Sequence, residues 1–374
     1  MWKMEDDVKK VNSRINEILI PDEPRELSEA MRHLILSGGK RLRPIIAMHS
    51  AGAIKPGAVG KGIDVGVALE LIHNFTLIHD DIMDKSLMRR HVKTTHIVFG
   101  DEIAIDAGDG LFAKALLLIY EMPHTRRLLG EVSQMVYDLC RGQAMDVIGS
   151  QKSKSLRVRE SKESRKSESP RVVESDSKDP QTPRLDRLTQ QYRYDSKTPD
   201  LPNSIDDSQT SLDWYLKMIE YKTARLLEVS ARCGAIVAGA TDAQQEALGR
   251  FGWNLGMAFQ IQDDLLDAIG GERTGKAVGG DIREGKNTIL VVYALSAASS
   301  ASEKDRKTIR SGMGRGDKVG EVIEAFRRAG SIDFARKLAV EYAENARKAI
   351  SKLKDSKDKE ILIQILDYAV KREK

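Results

Sequence analysis

Apolar residues recur at helical spacing along most of the chain. Val8, Ile15, Ile18 and Leu19 mark a first amphipathic stripe, and further helices are read at about 25–37, 41–53, 58–85, 103–121 and 124–149. The pattern resumes at about 212–238, 241–269, 286–299, 317–329, 331–353 and 358–371. No sustained apolar–polar alternation marks a strand, and no fixed-period repeat occurs. No Gly-rich strand–turn–helix unit is present either, so a phosphate-binding nucleotide loop is not expected.

The stretch 151–210 breaks the pattern. It is rich in Ser and carries five of the ten Pro, its charges nearly balance, and its apolar residues are sparse and aperiodic. Such a segment cannot bury enough surface to offset its ordering entropy, so it is expected to be a polar, disordered insertion. Ser153, Ser155 and Ser167 stand beside Lys or Arg, which leaves a phosphorylated tether as the other reading of this stretch.

Composition narrows the class. A chain of 374 residues carries a prior of two domains or one large one. The balance of 60 Lys and Arg against 56 Asp and Glu excludes a polybasic nucleic-acid coat. Few aromatics and many Ala, Leu, Ile and Met favour helices over strands. Cys140 and Cys233 are too few for a disulfide scaffold or a Cys-based zinc site, and they suit a reducing cytoplasm. No apolar run approaches the ~18–20 residues of a membrane helix. The segment Met1 to Lys10 has no apolar core, so no secretory signal is expected there.

The chemistry is carried by two acid clusters, Asp80-Asp81-Ile82-Met83-Asp84 and Asp263-Asp264-Leu265-Leu266-Asp267. On a helix, Asp80 lies over Asp84 and Asp263 over Asp267. Like charges one turn apart destabilise an isolated helix by about 0.2–0.5 kcal/mol per pair. Their recurrence in an apolar setting implies a cation, and hard oxygen ligands suit Mg2+ shared with phosphate oxygens. A solvated helix face is the plain alternative. The basic complement lies in Gly38-Gly39-Lys40-Arg41-Leu42-Arg43-Pro44, Arg89-Arg90, Lys222-Thr223, Lys276 and Lys286. Acids with separated cations imply two anionic groups, one bridged by metal and one held by Arg and Lys. His73 lies nearly on the face of Asp80 and is either a core histidine or a donor to the second anion.

These stretches resemble the trans-isoprenyl diphosphate synthases, the polyprenyl synthetase family. The matching segments are Gly38 to Pro44, Leu71-Ile72-His73 through Asp84, Arg89-Arg90, Gly142-Gln143 with Asp146, Lys222-Thr223, Phe259-Gln260 through Asp267, Thr274-Gly275-Lys276, Gly280-Asp281 and Gly285-Lys286. They occur in family order and span nearly everything except the insertion. The resemblance implies an all-α single bundle around a deep central cavity (the isoprenoid synthase type I fold), built from 1–150 and 211–374, and a homodimer. It implies Mg2+, two or three per site, held among Asp80, Asp81, Asp84, Asp263, Asp264 and Asp267. It assigns isopentenyl diphosphate to Lys40, Arg43, His73 and Arg90. It assigns the allylic diphosphate to Arg89, Lys222, Thr223, Gln260, Lys276 and Lys286. Asp80, Asp84, Asp263 and Lys222 would assist ionisation of the allylic C–O bond. The phenyl ring of Phe75, five residues before Asp80, resembles the floor residue of archaeal geranylgeranyl diphosphate synthases, with Thr76 beside it. A C20 product is therefore expected, with C15 or a mixture as the alternative.

His91 and Lys93 replace the family's usual Gly and Pro, which puts the local loop path in question. A class I terpene cyclase normally mixes Asn, Ser or Thr with Glu in its second metal motif, whereas here the second cluster repeats the first. A non-catalytic partner subunit would have lost acids from a cluster. The near-neutral 151–210 argues against a nucleic-acid footprint, and its deletion over about 152–208 is expected to leave folding and condensation largely intact.

Overall fold

The structure, a computed structural model, describes residues 4–163, 211–270 and 278–370, with 151–163 described as backbone only. Helices dominate: α1 Met4–Ile18, α2 Arg25–Leu36, α3 Leu42–Ile54, α4 Val59–Met83, α5 Thr95–Phe99, α6 Asp101–Tyr120 and α7 Thr125–Glu163. The second half holds α8 Leu212–Ile219, α9 Arg225–Val237, α10 Asp242–Ile269, α11 Gly280–Glu284 and α12 Ile289–Leu295. It ends with α13 Glu303–Gly312, α14 Val319–Arg328, α15 Ser331–Ile350 and α16 Lys357–Val370.

Burial follows from composition. α4 is apolar on most sides between Val65 and Ile78, as a central helix must be, and α3 and α9 are buried almost throughout. One core joins α1, α2, α4, α6, α7 and α9. A second joins α8 and α10 to α15, and a third joins α3, α9, α10, α15 and α16. Among the described residues the only sheet is a two-stranded ribbon, β1 Met88–Arg89 and β2 Val92–Lys93. It turns at Arg90 and His91, both with positive φ (50° and 66°), so the loop after the first acid cluster is a tight hairpin.

Several expectations are corrected. α7 runs past 149 to Glu163, so helix continues into the stretch read as structureless; 164–210 lies outside the described residues. The helix expected over 286–299 is shorter, Ile289–Leu295, because Gly285 at φ 74° caps α11 and Ser296 is extended. α13 is missed because its residues are charged and only Asp305, Ile309 and Gly312 are buried. Its signal is instead the capping box of Ser302 and Asp305.

The element that matters most for the site is a π turn, Glu220–Ala224, between α8 and α9. Two helices press on it through glycines. A Cβ at Gly142 of α7 would stand 2.6 Å from the backbone N of Lys222, and one at Gly256 of α10 would stand 2.5 Å from Cα of Ala224. Only glycine at both positions lets the turn sit between α7 and α10.

Candidate active site

Both acid clusters close long helices. Asp84 is the C-cap of α4, and Asp267 lies in the last turn of α10. A helix C-terminus already carries partial negative charge, which disfavours carboxylates there. At Asp80 burial, with the charge of Asp84, pushes the pKa up against the pull of Lys222 and Arg89. Lys222, on the π turn, meets Asp146 of α7 at 2.5 Å, and both line a cavity of about 140 Å3 with Thr223, Gln260, Asp264 and Asp281. The cavity opens at the α10 end, and Lys222 ties it to the α4 end through its charge on Asp80.

The carboxylates divide into two kinds. Asp81 is buried and accepts Nε of Arg89 at 2.8 and 2.9 Å on its two oxygens, with a further terminal nitrogen at 2.7 Å. Asp264 is buried and accepts the Tyr215 hydroxyl at 2.6 Å, Gln260 Nε2 at 2.9 Å and the Ile289 N–H at 3.3 Å. The oxygens of Asp81 and Asp264, both expected among the metal ligands, thus accept hydrogen bonds from protein donors here. Burial and the charge of Asp281 raise the Asp264 pKa to about 7. Asp80, Asp84, Asp263 and Asp267 are the partly or fully exposed members. Among the described residues no three His, Cys, Asp or Glu side chains converge enough to hold an ion alone. That donor set fits Mg2+, which takes one or two carboxylates, several waters and the substrate's phosphate oxygens.

The second cation cluster is built around the loop before α3. Arg41, with φ 49°, is buried and pairs with Glu70 at 2.9 Å, and it also donates to Asn12 at 2.8 Å. Arg90 donates to the carbonyls of Gly38 (2.6 Å) and Leu34 (3.2 Å) and to Asn74 Oδ1 (3.3 Å). These two guanidiniums fix the loop, and Arg43 follows it in the first turn of α3. The buried Nε of Arg43 has no partner among the described residues. Burial and the charge of Arg90 lower the Arg43 pKa to about 10, against the pull of Glu70. His73 is held neutral by burial and by the charges of Arg43, Arg90, Arg89 and Arg41. Cations crowded together with an orphaned donor make a site that wants an anion. Lys40 is exposed and rests over the Tyr368 ring of α16, 5.4 Å from its centroid.

Other expected residues fall near this cavity. Thr223 Oγ1 donates to Gln260 Oε1 at 2.9 Å. Lys286 lies 2.6 Å from Glu284 and 3.5 Å from Asp281, which together raise its pKa despite burial. Burial and the charge of Asp267 raise the Asp281 pKa to about 6. Lys276 lies outside the described residues. Beneath the first cluster, Phe75 stacks on Phe112 of α6 at 5.4 Å, and Thr76 Oγ1 returns to the His73 carbonyl at 2.8 Å. The matching stretches contain Asp146 and Asp281 without giving either a role, and only the fold reveals Phe112 and Tyr215.

An all-α bundle with two acid-bearing helix ends and two cation clusters close to them defines a prenyltransferase of the isoprenyl diphosphate synthase class. The chain belongs to the polyprenyl synthetase family, whose model matches residues 24–167 and 195–328. It is 33% identical over 374 residues to geranylgeranyl pyrophosphate synthase of Geoglobus acetivorans, covering 99% of this chain and 98% of that protein. It is also 33% identical to geranylfarnesyl diphosphate synthase of Aeropyrum pernix, covering 94% and 96%. The crystal structure of geranylgeranyl pyrophosphate synthetase from Pyrococcus horikoshii superposes with a TM-score of 0.77 at 32% identity, covering 99% of this chain and 97% of that one. Among the described residues no helix is long and apolar enough to cross a membrane.

Proposed function

We propose that this protein condenses isopentenyl diphosphate head-to-tail with allylic diphosphates and releases geranylgeranyl diphosphate, C20. The observation that carries this reading is the pair of cation clusters, Arg43 with His73 and Arg90 on one side and Lys222 with Arg89 near the other, flanking carboxylates at two helix ends. Asp80, Asp84, Asp263 and Asp267 hold two or three Mg2+ ions, with Asp81 and Asp264 keeping Arg89 and Gln260 in place. When bound, Mg2+ supplies positive charge to the departing diphosphate.

The chain's own groups do the remainder. Arg89, Lys222, Thr223, Gln260, Lys276 and Lys286 bind and orient the allylic diphosphate, and preplaced cations favour the charge that develops as the C–O bond ionises. Lys40, Arg43, His73 and Arg90 hold isopentenyl diphosphate so that its double bond faces the allylic carbon. The apolar wall of α4 and α6 excludes water from the cation. Phe75, backed by Phe112, closes the floor and sets the C20 length. The protein works as a homodimer in the cytoplasm, with exposed Ile97, Val98, Ile105, Leu117 and Tyr120 on α5 and α6 as the apolar face for a second copy.

The test is to incubate the purified protein with Mg2+, isopentenyl diphosphate and dimethylallyl, geranyl or farnesyl diphosphate, and to size the products. A C20 product is expected. A dominant C15 or longer product overturns the length assignment, and no product from any primer overturns the activity.

A further inference from the structure

We infer that Tyr215 is a positioning residue that, through Asp264, fixes which end of the Gln260 amide faces the allylic diphosphate. This inference rests on the functional reading above. Tyr215 lies on α8, away from both acid clusters in sequence, and is 2% exposed. Its hydroxyl donates to Oδ2 of Asp264 at 2.6 Å, and the N–H of Ile289 at the start of α12 points at the same oxygen from 3.3 Å. The other oxygen, Oδ1, accepts Nε2 of Gln260 one turn earlier on α10, at 2.9 Å. Oε1 of Gln260 in turn accepts the hydroxyl of Thr223 on the π turn, at 2.9 Å.

The chain has one polarity. An ionised Asp264 can only accept, and the Gln260 amide then turns its NH2 toward Asp264 and its carbonyl toward Thr223. That arrangement leaves the second N–H of Gln260 as its spare hydrogen-bonding group in the cavity. A reversed amide would present a carbonyl dipole to an anion and repel it. The links join α8, α10, α12 and the π turn, elements that no single helix register could align.

Tyr215→Phe removes one hydroxyl and keeps the ring in its buried place. The expected result is a roughly five- to tenfold weaker binding of Mg2+–diphosphate by calorimetry, the effect of losing one charge-directed hydrogen bond. The KM for the allylic diphosphate should rise by a similar factor, with the KM for isopentenyl diphosphate within twofold and the product length unchanged. Gln260→Leu should weaken binding comparably, and Tyr215→Phe should add little in that background, because the two act as one unit. Tyr215→Phe with unchanged diphosphate affinity, equal losses for both substrates, or effects that multiply in the double variant overturns the inference. The binding arm needs no turnover, so wild-type protein that binds Mg2+–diphosphate but makes no prenyl product sinks the proposed function and still decides the role of Tyr215.

Discussion

At the scale of single residues, the floor proposed at Phe75 is a two-helix construction. Phe75 of α4 stacks on Phe112 of α6 at an interplanar angle of 24°, and the His79 ring meets Phe75 edge-on at 4.8 Å. His79 in turn packs on Gly108 of α6, where a Cβ would stand 2.5 Å from Nε2, so α4 and α6 approach closely under the floor. Phe112 therefore holds Phe75 upright instead of merely filling space. Phe75→Ala is expected to shift products beyond C20. Phe112→Leu, which keeps an apolar side chain at this partly buried position, should shift a smaller share the same way. Chromatography of the dephosphorylated products checks both. An unchanged C20 profile in both variants means that the floor lies elsewhere.

At the scale of elements, the acid-bearing helices were legible because Asp at i and i+4 within apolar stripes is rare enough to carry a signal. What the spacing could not assign is the middle Asp of each cluster. Asp81 and Asp264 sit one position off the stripe, on the helix flank, and their partners Arg89 and Tyr215 come from a hairpin and a distant helix. The π turn is equally silent in sequence, since its shape follows from α7 and α10 closing on it at Gly142 and Gly256. Another tertiary contact joins the chain's two ends. His49 of α3 lies between Asp7 of α1 (2.9 Å) and Asp358 of α16 (2.7 Å), and Lys10 pairs with Asp7 from the side. Burial alone would lower the His49 pKa, but the two carboxylates outweigh it and raise it. A raised histidine pKa adds stability in full below the unfolded value of about 6.5, and that stability is lost as pH rises through the folded value. Thermal stability is therefore expected to fall as pH rises above about 6.5 through the raised folded value, and His49→Gln should be less stable at pH 6 with a flatter profile. Parallel wild-type and variant profiles in scanning calorimetry would remove His49 as the cause.

At the scale of the whole molecule, the first and third cores share α9, and the second and third share α10. The family model spans the chain in two pieces that leave 168–194 unmatched. Every residue assigned to the cavity lies outside that gap, and the helix that carries Asp146 toward Lys222 is described through Glu163 before it begins. The cut belongs after that helix, because a deletion starting near 152 would remove backbone that α7 uses. Chain connections tolerate such changes, since closure entropy varies by only about 0.6 kcal/mol per halving of length. Deleting 168–194 is thus expected to leave the melting temperature within a few degrees and kcat/KM for both substrates within about threefold. A variant that folds but loses most of its condensation activity would show that those residues take part in the site. One that fails to fold would show that the unmatched stretch supports the bundle itself.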